Sequence, residues 1–192
     1  MSELKIESIS VKVVRADRRT ISIQIKEDGI YVRAPFRMSD AEIECFLDSK
    51  SDWIRRHLRI AAEQNAAVKN LPPYTYEEMR ELAAKALQVI PERVTHYARI
   101  IGVDYGNITI RNQRTRWGSC SSKGNLNFNC LLVLLPDEII DSVVVHELCH
   151  RKHMNHSPQF YTEVEKAFPN YQRCNTWLKE NGGLYLSRLP QR

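Results

Sequence analysis

The chain has 192 residues, 43% of them hydrophobic and 27% charged, an ordinary globular mixture that argues against a disordered or fibrous protein and suffices for one sizeable core with an appended lobe. No run approaches the ~18 apolar residues of a membrane helix and the start, MSELKIESIS, lacks the basic-then-apolar pattern of a signal peptide, so a cytoplasmic protein with no membrane partner is expected. A net charge of +5 permits an anionic partner without requiring one, while five scattered cysteines (Cys45, Cys120, Cys130, Cys149, Cys174) with no CxxC pair argue against a disulfide framework and against a cysteine-held structural zinc.

The opening stretch alternates. Ile6, Ile9, Val11 and Val13, then Ile21, Ile23 and Ile25 beyond the basic run Arg15 to Arg19, are interleaved with polar residues, the period of half-buried strands. Asp28-Gly29 before Ile30-Tyr31-Val32-Arg33-Ala34-Pro35 is a hairpin signal, because both turn positions tolerate positive φ. Ser39 with Glu42 forms a capping box, and Ile43, Phe46, Leu47, Trp53, Ile54 and Leu58 mark one long amphipathic helix behind it. Leu71-Pro72-Pro73 ends this segment. A second helix begins near Tyr76 and continues through Leu82, Ala86 and Leu87, is interrupted or kinked at Pro91, and is closed by Gly102. The two-residue period returns in Ile108 and Ile110, then in Leu126, Phe128 and Cys130, with Ser121–Asn125 as the turn of a second hairpin. Pro136-Asp137 starts a helix with Asp137 as its cap, and Ile140, Val144 and Leu148 are its core-facing stripe. Ser157-Pro158 opens another helix, and Asn170 to Leu178 supplies a last one before Gly182-Gly183.

Chemistry concentrates on the helix after Pro136. His146-Glu147-Leu148-Cys149-His150 is the HExxH pattern, which places two imidazoles about one turn apart and able to converge on one ion. Glu147 stands at the neighbouring position, where a carboxylate can take a proton from metal-activated water. A catalytic zinc wants a third protein ligand and one open position. On an unbroken helix His153 would stand about 10 Å along the axis from His146, so His156 is favoured, provided the chain leaves the helix around His153 to Asn155 and folds back. The His146 to His156 spacing equals that of HExxHxxGxxH, with His153 where the glycine stands; histidine and asparagine are enriched among non-glycine residues at left-handed positions, which keeps the turn possible. His153 remains a candidate for contact with the ligands or the substrate. Three imidazoles suit Zn²⁺ and also admit other divalent transition metals.

Tyr105 to Pro136 contains no Asp or Glu but carries Arg111, Arg114, Arg116 and Lys123. Within it, Arg114-Thr115-Arg116-Trp117-Gly118-Ser119-Cys120 can wall a cleft beside the metal, pairing with an extended peptide along a strand edge or holding phosphates through its arginines. Arg114, Arg116, Trp117 and Ser119 are therefore substrate-binding candidates, as is His153; Trp117 as plain core and the arginines as a solvated face are equally open. The arginines nearer the N-terminus, Arg15, Arg18, Arg19, Arg33, Arg37, Arg55 and Arg56, are interspersed with acids and support nucleic-acid contact weakly.

Arg116-Trp117-Gly118-Ser119-Cys120, the HExxH run and Asn155-His156-Ser157-Pro158 with Phe160 resemble the YgjP-like metal-dependent hydrolases, as do Arg18-Arg19-Thr20-Ile21 and Val32-Arg33-Ala34-Pro35. The resemblance extends over nearly the whole chain. It implies kinship of the C-terminal half with the WLM and SprT-like zinc metallopeptidases, zinc at His146, His150 and His156, and Glu147 as base. It also implies two candidate activities, peptide hydrolysis and pyrophosphate release from UTP. The expected fold is α+β: an N-terminal antiparallel sheet with a long helix over residues 1–70, then a zincin-like metal-binding half over 71–192 in which a β-hairpin adjoins the HExxH helix. The expected function is a zinc metallohydrolase of the metallopeptidase kind acting on a peptide or protein. The alternatives are a nucleotide pyrophosphatase using the same metal and a nucleic-acid-associated binding module.

Overall fold

Alternating apolar and polar residues lay down four strands in the first unit of the chain, Met1–Asn70: β1 (Ser2–Ile6), β2 (Ile9–Ala16), β3 (Ser22–Lys26) and β4 (Gly29–Pro35). The structure is a computed structural model and describes residues 2–6, 9–26, 29–69 and 71–190. The sheet order is β1-β2-β4-β3. Both outer pairs are antiparallel, as the alternation implies, but β2 and β4 join in parallel. Val11 stands opposite Ile30 and Val13 opposite Val32, and all four are fully buried. Placing these two strands at the centre makes one continuous apolar row, a choice that a two-residue period cannot announce. Of the predicted Asp28-Gly29 turn, Asp28 lies outside the described residues; Gly29 has φ 135°, a backbone region open to glycine.

Ser39 caps α1 (Asp40–Asp48) through the predicted box: its hydroxyl accepts from the Glu42 N–H, and the Glu42 carboxylate accepts from the Ser39 N–H at 2.7 Å. The single long helix expected through Leu58 is two, α1 and α2 (Ser51–Lys69). Ser49 ends the first by donating its hydroxyl to the Phe46 carbonyl at 2.7 Å, and the Lys50 N–H bonds the Leu47 carbonyl in a tightened last turn. The break resets the rotational phase. Ile43, Leu47 and Ile54 stay in the core with the central strands, whereas Trp53, assigned by periodicity to the same face, is 42% exposed and stacks on His57.

The second unit, Leu71–Arg192, has its own core. Thr75 and Glu78 form a capping box at the start of α3 (Tyr76–Ile101), and Gly102 at φ 74° closes it. Pro91, expected to interrupt or kink this helix, is accommodated inside a continuous helical span. Proline cannot donate to the carbonyl four residues back, that of Leu87, a residue 58% exposed; Ile90 and Val94 on either side of Pro91 are fully buried, so core packing holds the helix through the proline. Three short strands follow, β5 (Ile108–Arg111), β6 (Gly118–Cys120) and β7 (Leu126–Asn129), in the order β5-β7-β6. The predicted Ser121–Asn125 turn closes an antiparallel hairpin of β7 with β6, not with the Ile108–Ile110 strand expected as its partner, which as β5 pairs with β7 in parallel. Cys130, read as a strand residue, instead begins a short 3-10 helix, Cys130–Leu134.

The HExxH helix is α4 (Asp137–Cys149). Pro136 occupies its cap position and accepts the first helical bond from Ile140. Asp137, expected as the cap, is the first helical residue, and its carboxylate pairs with Arg93 of α3 at 2.6 Å. Ile139, Ile140, Val143, Val144 and Leu148 are buried, because α4 packs against α3, β6, α5 (Pro158–Ala167) and α6 (Tyr171–Ser187). Ser157 caps α5 as predicted. The last helix does not stop at Gly182-Gly183 but runs through them. A Cβ on Gly182 would lie 2.9 Å from the Trp117 Nε1, so this glycine serves close approach of the indole rather than helix termination. The architecture is α+β, with the HExxH helix at the centre of the second unit. Among the described residues no helix is long and apolar enough to cross a membrane.

Candidate metal centre

The helix carrying His146, Glu147 and His150 ends at Cys149, with His150 as its C-cap. The N–H groups of Arg151 and Lys152 bond carbonyls three residues back, at Leu148 and Cys149, a tightened end that lets the chain depart. Arg151 fixes the departure by donating to the carbonyl and carboxylate of Asp104 at 3.1 and 3.0 Å. The irregular segment before Ser157 then folds back, and the Nε2 of His156 arrives 3.1 Å from the Nε2 of His146. His146, His150 and His156 each offer one nitrogen, all within 4.8 Å of one another.

The second nitrogen of each helical histidine is engaged. His150 Nδ1 lies 3.0 Å from the His153 carbonyl; a carbonyl only accepts, so Nδ1 carries the proton and Nε2 presents a bare lone pair. His146 Nδ1 lies 2.7 Å from the Tyr171 hydroxyl, which can take the same role. Nitrogens about 2.0–2.1 Å from a tetrahedral zinc would stand roughly 3.3 Å apart, close to the 3.1 Å found between His146 and His156. The donor set thus fits a divalent transition metal. Phe160, fully buried at the start of α5, packs against all three rings at centroid distances of 4.6 to 5.0 Å and restricts their rotation.

Burial, reinforced by His150 and His156, pushes the His146 pKa down to about 3, which keeps the ring in the neutral form that binding a metal requires. Glu147 is 6% exposed. Burial drives its pKa up to about 8, with the Arg116 guanidinium pulling the other way. Its place is set by Gly118 of β6, where a Cβ would come within 2.7 Å of the Glu147 Cγ and Oε1. Gly118→Ala is therefore expected to displace the carboxylate by about an ångström and to lower kcat/KM by roughly a hundredfold with metal content unchanged. Kinetics paired with metal analysis checks this, and wild-type activity would show that the carboxylate has no fixed post.

The candidate substrate residues fall in different places. Arg116 and Trp117 line a cleft of about 220 Å³ together with Gly118, His146, Glu147 and Tyr171. Arg114 lines a separate, larger cavity and donates to the Pro190 carbonyl. The Ser119 hydroxyl accepts from Asn127 at 3.3 Å and lines neither cavity. His153 brings its carbonyl, not its ring, to the histidine group. Sequence reasoning missed Tyr171, which no spacing from the HExxH run would single out. It also missed Asn129, fully buried on β7, which donates to the carbonyls of Gln113 and Arg116 at 2.6 and 3.1 Å and so holds the arginine-bearing loop.

The family model of the YgjP-like, metallopeptidase domain matches residues 19–81 and 69–181, which include all three histidines, Glu147 and the Arg114–Cys120 run. The chain belongs to the YgjP-like family. Metallopeptidase-like hydrolysis and a divalent metal come with that membership, and the histidine group is where this YgjP-like chain offers ligands. A search of the curated proteins gives no match. Two solved structures are similar in part. One is the metallopeptidase zymogen of Pyrococcus abyssi abylysin, at 24% identity and TM-score 0.44 over 48% of this chain and 94% of that one. The other is the metallopeptidase zymogen of Methanocaldococcus jannaschii jannalysin, at 21% identity and TM-score 0.43 over 47% of this chain and 94% of that one.

Proposed function

We propose that the chain is a zinc-dependent peptidase in which His146, His150 and His156 hold the ion and Glu147 is the general base. The observation that carries this reading is the convergence of three imidazole nitrogens within 4.8 Å beside a buried carboxylate. When bound, zinc supplies Lewis acidity, lowering the pKa of water and polarising a carbonyl. Three protein ligands with one position left open are the usual count for catalytic zinc.

The chain's own residues supply the remainder. Glu147 takes the proton of the attacking water and returns it to the departing amine. Tyr171 and the His153 carbonyl hold the rings of His146 and His150. The strand β6 is an edge of its sheet and lies beside Glu147 through Gly118, so an extended peptide can add along it by main-chain pairing, with Arg116 and Trp117 forming the wall that receives its side chains.

Metal-stripped protein is expected to cleave no unstructured peptide, and stoichiometric zinc is expected to restore cleavage, read by mass spectrometry of the products, with UTP as the control substrate. Peptide hydrolysis that survives stripping, or pyrophosphate release from UTP with every peptide intact, would overturn the reading.

A further inference from the structure

Beside the histidine cleft lies a cavity of about 800 Å³ that the reaction as described leaves unused. Its wall is the run from Ile110 to Arg116, closed by Leu189 and Pro190, and three of its residues are arginines: Arg111, Arg114 and Arg116. Arg116 lines both this cavity and the cleft that holds His146 and Glu147, so the two are neighbours along one path.

Positive charge predominates here, although Arg116 also acts electrostatically on Glu147. The sequence places no Asp or Glu between Tyr105 and Pro136, and among the described residues none of the three arginines forms an ion pair. The guanidinium groups are also held. Arg111 Nε donates to Asn127 at 3.0 Å, Arg114 donates to the Pro190 carbonyl, and the fully buried Asn129 fixes the connecting loop by its bonds to the carbonyls of Gln113 and Arg116. These bonds occupy one N–H direction on each of Arg111 and Arg114 and leave the rest of each fork for a ligand. A loop pinned this way loses little freedom when an anion binds.

We infer that this cavity is a carboxylate subsite that selects peptide substrates carrying an acidic group near the bond cut at the histidine centre. The inference rests on the peptidase reading for the identity of its ligand. A carboxylate matches the planar guanidinium fork, and the shared Arg116 puts such a group within a few residues of the scissile bond. A single-stranded nucleic acid fits less well: it binds by stacking bases on aromatic side chains, and no aromatic residue lines the cavity.

The test uses zinc-loaded protein and one quenched fluorescent peptide sequence. It is made with an internal Glu, Gln or Lys at successive positions and an amidated C-terminus, and as a Gln version with a free C-terminus, so that a side-chain carboxylate is distinguished from an α-carboxylate. A carboxylate-bearing peptide of one kind or the other is expected to exceed its Gln or amidated counterpart in kcat/KM by about tenfold. The double variant Arg111→Glu with Arg114→Glu is expected to invert the ratio of Glu-peptide to Lys-peptide within the same protein, whatever its overall rate. An equal ratio in wild type and variant overturns the inference. If no peptide is cleaved at all, the peptidase reading fails by itself, and fluorescence anisotropy of the same labelled peptides decides the subsite: tighter binding of the acidic peptide, lost in the double variant, upholds it. Charge-independent peptide binding overturns it, as does loss in the variant of oligonucleotide binding alone.

Discussion

Replacing Glu147 by glutamine is expected to lower kcat for peptide hydrolysis by about 10²- to 10⁴-fold, the usual contribution of a positioned general base, while the zinc content of the purified protein stays at the wild-type level. The two halves of this result come from different features. Glu147 is not among the three residues whose donor atoms converge, so its amide analogue leaves the ligand set whole. Glutamine keeps the volume of the side chain in its buried place against Gly118 but cannot take a proton from water. The fold should also be indifferent: a neutral amide is easier to bury than a carboxylate, so thermal unfolding of the variant is expected at or above the wild-type temperature. Turnover within a few-fold of wild type would remove Glu147 from the mechanism. Loss of zinc together with activity would make it a ligand instead.

The second large effect is expected from His156→Ala. Zinc in about thousandfold excess over its dissociation constant stabilises a protein by about 4 kcal/mol, which in a chain of this size raises Tm by roughly 10 °C. Wild-type protein should show that rise on loading, and His156→Ala should show almost none at the same zinc concentration. His156 is exposed and lies on irregular chain between two helices, so its removal should leave the metal-free fold as stable as wild type. His153→Ala is the control for the neighbouring histidine, over which the sequence favours His156. His153 meets the site through its backbone carbonyl, which alanine also provides, so this variant should bind zinc and gain the full rise in Tm. A reversal, with His153→Ala losing the metal and His156→Ala keeping it, would reassign the third position.

The elements that could be read from the chain are those whose physics is local. The capping box at Ser39 closes within four residues, and the Ser157 cap announces α5; the Thr75–Glu78 box is of the same local kind, though sequence reasoning missed it. The readings that failed were those in which distant packing overruled a local preference. Pro91 stays inside α3 because Ala86, Ile90 and Val94 around it are buried in the core. Gly182 stays inside α6 because Trp117 needs the space that a side chain would fill. Trp53 leaves its predicted face because Ser49 and Lys50 between α1 and α2 reset the phase.

The same division runs through the candidate site. His146, Glu147 and His150 are related by helical geometry alone, since residues four apart on an α-helix share a face whatever surrounds them, so this pair of imidazoles and the carboxylate beside it were legible from residue spacing. The family resemblance, too, could be drawn from residues alone. Folding in three dimensions was needed for everything that depends on chain returning from elsewhere: the loop that brings His156 to within 3.1 Å of His146, the Tyr171 hydroxyl from α6, the Gly118 backbone that leaves room for Glu147, and the closure of an arginine-lined cavity by Leu189 and Pro190. Periodicity encodes which face of an element is apolar. It carries no term for which distant element will cover that face, and those partners are chosen by packing the whole core at once.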